Sequence, residues 1–259
     1  MPQLPAAEAA RITDLLGPDT GLGPITVVAE TGSTNADLLQ AVAAGTAAPG
    51  TVLIAEHQNA GRGRFTRTWL DIPGSNIAMS VLLKPGRPMT QWGWLSLLCG
   101  MAVAEAIRSL AADQAVAVEL KWPNDVLIDG RKVCGIIADG SGPYAVIGIG
   151  VNVGQCAEEL PLPTAISLAL AGLPTDKSVI AAHILASLSR YFLRWQATGE
   201  VRAEYVALSS TIGRDVRVIL SDVETAEGKA VGIDTDGSLL VVVDGVVTSF
   251  AAGDVVHLR

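Results

Sequence analysis

The chain has 259 residues, 49% of them hydrophobic, and a formal net charge of −8, a size that admits one large domain with a smaller appendage. The acidic balance excludes a general basic face for nucleic acid, because such binding rests on Lys and Arg neutralising phosphates. No apolar stretch reaches the ~20 unbroken residues of a spanning helix, the start lacks a secretory pattern, and Cys99, Cys134 and Cys156 have neither disulfide nor zinc spacing, so the reading is a reduced, cytoplasmic protein with no membrane partner.

Residues 6–16 read as a weak helix, and a β-branched strand is predicted over 25–30. Ser33 or Thr34 can N-cap the following helix, whose apolar Leu38, Leu39 and Val42 are helically spaced and which Gly45 can end. Ser33, Thr34 and Asn35 then fall at a strand-to-helix junction, where helix N–H groups can receive polar ligand atoms. Strands over 51–56 and 76–84 flank a polar connection about twice the usual length, and such loops are commonly functional. A buried helix is predicted over 91–110, with Trp92 and Trp94 in the core.

Residues 116–125 read as a strand running into a turn at Pro123, Asn124 and Asp125. Asp129-Gly130 signals a hairpin joining 126–128 to 131–139. A central strand follows over 144–153, then a Pro-rich link, a helix over 176–198 and a shorter one ending at Leu208. From Ile212 short strands punctuated by Asp236-Gly237 and Asp244-Gly245 suggest a small barrel or sandwich, which places a boundary near Ser210.

Residues 61–69 read GRGRFTRTW. Their glycines allow close backbone approach, and Arg62, Arg64 and Arg67 can fork onto phosphate or carboxylate oxygens. Trp69 offers a flat surface for a ring. The segment is not a Walker A loop, lacking G-x-x-x-x-G-K-[ST], and taken alone it reads equally as a solvated basic loop. In LKWPND, over 120–125, Asn124 and Asp125 can hold a hydrated Mg²⁺ beside phosphates, yet the same residues also make an ordinary turn. Lys132 alone reads as an exposed strand lysine, Gly148 to Asn152 as a tightly packed strand, and Ser33 to Asn35 as a cap. His57, His183 and His257 form no catalytic or metal constellation.

Taken in order, ETGSTNADLL, AEHQNAGRGRFTRTW, LKWPNDVLIDGRKVCGIIAD and VIGIGVNV closely resemble the biotin–protein ligases. The resemblance covers most of residues 27–153 and, more loosely, the final β-rich segment. It implies an α+β fold: a mixed β-sheet with flanking helices, similar to class II aminoacyl-tRNA synthetase and lipoate ligase cores, over 1–210, followed by an SH3-like barrel over 211–259. It implies a two-step reaction in which the biotin carboxylate attacks the α-phosphate of ATP and a lysine of a carrier domain then attacks the biotinyl-adenylate. The implied partner is the biotin carboxyl carrier domain of acyl-CoA or pyruvate carboxylases.

Carried over by matching position, Ser33, Thr34, Asn35, Gln58, Gly61 and Arg62 fall on the biotin side, with Gly135, Gly148 and Gly150 letting backbone line that pocket. Arg64 and Arg67 become phosphate clamps, also near biotin in the case of Arg64, with Trp69 near adenine. Lys121, Asn124, Asp125 and Asn152 fall on the nucleotide side, Asp125 as the Mg²⁺ ligand. Lys132 becomes the catalytic lysine, bridging carboxylate and α-phosphate, a form of electrostatic stabilisation. Two departures stand out: Thr66 occupies a position where the family commonly has glycine, which implies a stiffer loop, and no helix-turn-helix segment precedes Val27, which implies a monofunctional ligase that does not bind DNA. Lipoate ligation and a non-catalytic ligand sensor stay open as alternatives, as do oligomeric state and the role of the barrel beyond aiding ATP or acceptor binding.

Overall fold

The computed structural model describes residues 4–65, 67–112, 114–221 and 223–258; the expectation attached to Thr66 lies outside the described residues. In chain order come α1 (Ala9–Leu16), β1 (Ile25–Val28), α2 (Thr34–Ala43), β2 (Val52–Ala55), β3 (Asn76–Leu83), α3 (Gly93–Ala111), β4 (Val118–Lys121), β5 (Asp125–Ile128), β6 (Arg131–Ser141) and β7 (Tyr144–Asn152). They are followed by α4 (Lys177–Thr198), α5 (Arg202–Leu208) and β8 (Asp215–Ile219), β9 (Thr225–Ile233), β10 (Leu239–Val243), β11 (Val246–Phe250) and β12 (Asp254–His257).

The first seven strands form one mixed sheet in the order β1-β2-β3-β7-β6-β5-β4, parallel between β1 and β2 and antiparallel elsewhere. Its two faces are covered unequally. Residues such as Ile77, Met79, Val81, Ile147, Ile149 and Val151 point into the main core with α1, α3 and α4, the large apolar burial expected to dominate stability. By composition α3 is apolar enough to cross a membrane, contrary to the sequence expectation of broken apolar stretches. Thirteen of its nineteen residues are buried in the fold, so that apolarity serves the core. Trp94 is buried as expected, and its indole N–H donates to Thr235 O at 3.0 Å.

On the opposite face, among the described residues, α2 is the helix that packs down, through a small cluster of Leu38 with Leu82 and Val146. A ten-residue helix covers one end of that face. The remainder, carrying Ala78, Gly150, Gly135 and Asp125 as a row of cross-strand neighbours, lies under the long connection between β2 and β3. The cavity described below occupies this uncovered stretch.

Turn chemistry follows the sequence. Asp129 and Gly130 both adopt positive φ (49° and 74°) between β5 and β6, as do Asp244 and Gly245 (49° and 81°) between β10 and β11, the geometry that matches strand twist in two-residue hairpins. The C-terminal strands form a five-stranded sheet, β11-β10-β9-β8-β12, whose edge strands β11 and β12 are not paired to each other among the described residues; the form is compatible with an SH3-like fold without closing as a barrel. Strand β12, too short to stand out in sequence, is held against β8. This sheet docks on the first through Trp122, whose indole donates to Gly237 O at 3.1 Å and whose backbone N–H donates to Thr211 Oγ1 at 3.1 Å.

Candidate active site

A cavity of about 540 Å³ opens on the uncovered face, within the ~300–1,000 Å³ range of small-molecule sites. Every residue given a binding or catalytic role by the resemblance lines it except Gly61, which is buried. A Cβ at Gly61 would meet Trp69 O at 2.8 Å and Gln58 Nε2 at 3.3 Å, so its bareness lets the two limbs of the loop close on each other.

One end of the cavity is a hydrogen-bonded chain. Ser33 occupies the N-cap position of α2, but its hydroxyl makes no capping bond. This corrects the expectation that Ser33 or Thr34 caps the helix: Gln58 Oε1, arriving from the loop, accepts from Thr34 N at 2.9 Å and lies 3.1 Å from Thr34 Oγ1. Thr34 Oγ1 lies 2.7 Å from Ser80 Oγ, which donates to Asn35 Oδ1 at 2.5 Å. Asn35 Nδ2 in turn donates to Asp139 Oδ2 at 2.8 Å, and Arg62 reaches the same oxygen at 2.7 Å. Bare backbone makes room for this chain, since a Cβ on Gly148 would collide with Asn35 Oδ1.

At the centre Trp69 lies flat over the glycines. A Cβ on Gly150 would come within 2.5 Å of the indole and one on Gly135 within 3.0 Å, and the two glycines face each other across β6 and β7. Trp69 therefore sits against residues assigned by resemblance to the vitamin.

Lys132 reaches this face through a β-bulge. Val126 pairs with Cys134 but Leu127 pairs with Lys132, leaving Val133 as the extra residue, and both Val133 and Cys134 are buried in the core. A bulge re-aims the side chains that follow it; strict alternation back from Gly135 would have turned Lys132 away. As built, Lys132 Nζ lies 2.6 Å from Asp125 Oδ1. That contact is one of charge, without hydrogen-bond geometry, and Asp125 Oδ1 has no other partner.

The remaining assigned residues divide. Lys121 sits directly across the strand pair from Asp125. Asn124 donates to Ile136 O at 2.8 Å and Asn152 to Ile166 O at 3.1 Å, so both amides also brace the wall. Arg64 donates to Gly253 O at 2.9 Å, and Arg67 pairs with Asp254 at 2.8 Å, joining the loop to the start of β12. Burial holds the Arg64 pKa below its ordinary value, an effect partly offset by Asp254. Phe65, between them, has positive φ (56°) and stacks under both guanidiniums.

A family model described as "Biotin/lipoate A/B protein ligase family" matches residues 27–152, and a second, "Biotin protein ligase C terminal domain", matches residues 211–258. The biotin--[acetyl-CoA-carboxylase] ligase of Mycobacterium tuberculosis is 43% identical over 98% of this chain and 97% of its own length. The chain belongs to the biotin–protein ligase family. Among further relatives of that family, the bifunctional ligase/repressor BirA of Escherichia coli is 31% identical over 90% of this chain and 74% of its own. The structure of the biotin protein ligase from Aquifex aeolicus in complex with biotin and ATP superposes with a TM-score of 0.77 at 25% identity, covering 92% of this chain and all of that one.

Within this biotin–protein ligase fold, several residues at the site carry no motif signal. Ser80, Asp71, Asp139, Gln155 and Asp254 are isolated polar residues in sequence, and only Ser80, in the otherwise apolar run NIAMSVLL, interrupts its pattern visibly. Their importance follows from cross-strand register and loop closure.

Proposed function

We infer that the protein joins biotin to protein through biotinyl-adenylate, and the observation that carries this reading is the place of Lys132. Its ammonium lines the cavity beside Gly135 and against Asp125, in the same cavity as Ser33, Gln58 and Lys121. Two anions that must react, a carboxylate and a triphosphate, repel each other; a cation at their junction lowers that cost most where charge is shared in the transition state. The biotin carboxylate oxygen forms a bond to the α-phosphorus as the bond to the pyrophosphate oxygen breaks. The acceptor lysine then attacks the biotinyl carbonyl and AMP leaves.

The hydroxyls and amides of Ser33, Thr34, Asn35 and Gln58 face the ureido ring in this reading, with Arg62 beside them. Trp69 covers the vitamin where it crosses Gly135 and Gly150, a placement favoured over the adenine side by those contacts. Arg64 and Arg67 hold phosphate, while Asn124 and Asn152 shape the nucleotide end. Asp125, a cavity carboxylate whose Oδ1 faces Lys132 at 2.6 Å, would be a single protein ligand of the kind with which Mg²⁺ arrives on phosphates; when bound there, the ion would neutralise phosphate charge. The two-part organisation at 1–210 and 211–259 is supported by the second family match beginning at residue 211, and the acceptor is taken to be a biotin carboxyl carrier domain of a carboxylase, encountered in the cytoplasm.

Incubation with ATP, Mg²⁺, biotin and a carrier domain is expected to label one lysine of that domain and release pyrophosphate. Absence of label with biotin, together with transfer of lipoate, would overturn the reading.

A further inference from the structure

Between β2 and β3 the chain leaves the sheet at Glu56 and returns at Asn76, and Gln58 lies at the root of that excursion. On one side its neighbours extend the parallel pairing, Thr31 N donating to His57 O at 3.0 Å and Asn59 N to Thr31 O at 3.0 Å. The Gln58 N–H points to the other side, where β3 has not yet begun. An orphan backbone donor in a buried place is costly, and here Asp71 Oδ2 accepts from it at 2.8 Å. The Asp71 side chain is fully buried, and burial raises its pKa to about 6. Its other oxygen lies 4.0 Å from His57 Nδ1 and has no hydrogen-bond partner. The buried Lys177 pairs with the partly exposed Glu56 nearby and also donates to Gly74 O. The fold thus keeps a carboxylate where its charge is penalised, at a point where a side chain of the returning limb of the loop holds the backbone of the outgoing limb.

We propose that Asp71 is a positioning residue for biotin: its carboxylate stands in for the missing strand beside Gln58 and so fixes the Gln58 amide against Thr34. The inference rests on the reading that Gln58 faces the ureido ring. Asp71 itself is absent from the cavity lining, so its effect must travel through Gln58.

The test begins with the unaltered enzyme, whose ligation of biotin to a carrier domain decides the underlying reading independently. In an active enzyme, Asp71→Leu keeps the branched shape but removes the acceptor, and Asp71→Asn keeps an acceptor but removes the charge. The expected result is a biotin KM raised at least fivefold in Asp71→Leu, with kcat and the ATP KM within twofold of the parent, and full rescue in Asp71→Asn. Adding Asp71→Leu to Gln58→Ala is expected to raise KM no further. A parent-like biotin KM in Asp71→Leu, equal damage in both variants, or additive effects with Gln58→Ala would overturn the proposal. Should Asp71→Leu not fold, amide hydrogen exchange at Gln58 in the parent still decides: protection well above that of exposed loop amides is expected, and exchange at loop rates would refute it.

Discussion

Lys132 Nζ and Asp125 Oδ1 lie 2.6 Å apart on neighbouring strands, and they share a face of the sheet because Val133 is bulged out of register. The ammonium is thereby aimed while its neighbours Val133 and Cys134 stay in the core. Lys132→Ala is expected to lower pyrophosphate release by ~100-fold or more, the scale of losing a main charge stabiliser, while biotin binding by calorimetry stays measurable. Release within tenfold of the parent would remove Lys132 from the centre of the reaction.

Arg64 and Arg67 are held by Gly253 and Asp254, so the loop and the C-terminal sheet are joined at the proposed phosphate site. Arg64→Ala and Arg67→Ala are expected to speed escape of the adenylate roughly 10- to 100-fold, from the loss of charge-assisted contacts of ~1.5–3 kcal/mol. Asp254→Asn should act in the same direction and more weakly, because the pair is partly exposed and worth ~0–1 kcal/mol. Unchanged release in a trapping assay would exclude the clamp.

Gly150 has no room for a side chain beneath Trp69. Gly150→Ala is expected to displace the indole, raising the biotin KM about tenfold and costing ~1–3 kcal/mol of stability, the usual range for overpacking. Tryptophan fluorescence would report the displaced ring, and a parent-like spectrum with parent-like KM would contradict the packing described.

His257, half-buried at the junction, lies 3.2 Å from Thr211 Oγ1, and burial, reinforced by Lys121 and Arg214, holds its pKa down to about 4. The folded state therefore binds its proton less readily than the unfolded chain, whose histidine titrates near ~6.5. Its contribution to stability is complete above ~6.5 and is lost as pH falls toward about 4. His257→Gln should flatten the fall in thermal midpoint between pH 7.5 and pH 4.5, by an amount below ~1 kcal/mol after screening at a half-exposed ring. An identical slope in parent and variant would refute it.

Much of this was readable from residues alone. The β-branched and apolar runs placed the strands, Asp129-Gly130 and Asp244-Gly245 named their turns, and GRGRFTRTW with LKWPND carried the family resemblance, because local propensity and motif chemistry are written in neighbouring residues. Interruptions of local pattern were less legible. Strand β12 has four residues and depends on β8 for its form, and Ser33 sits where a cap belongs while Gln58, distant in sequence, supplies the oxygen.

The sequence by itself determined the family, the order of elements and the set of polar groups available to the cavity, since each rests on residue type and short spacing. Tertiary structure decided which of those groups meet. The bulge at Val133 chose the face for Lys132, the short span of α2 left the floor of the cavity open, and the return of the loop set Trp69 on Gly135 and Gly150. Each of these depends on cross-strand register or long-range packing, where one residue of slip reverses a face, and no local spacing encodes that choice.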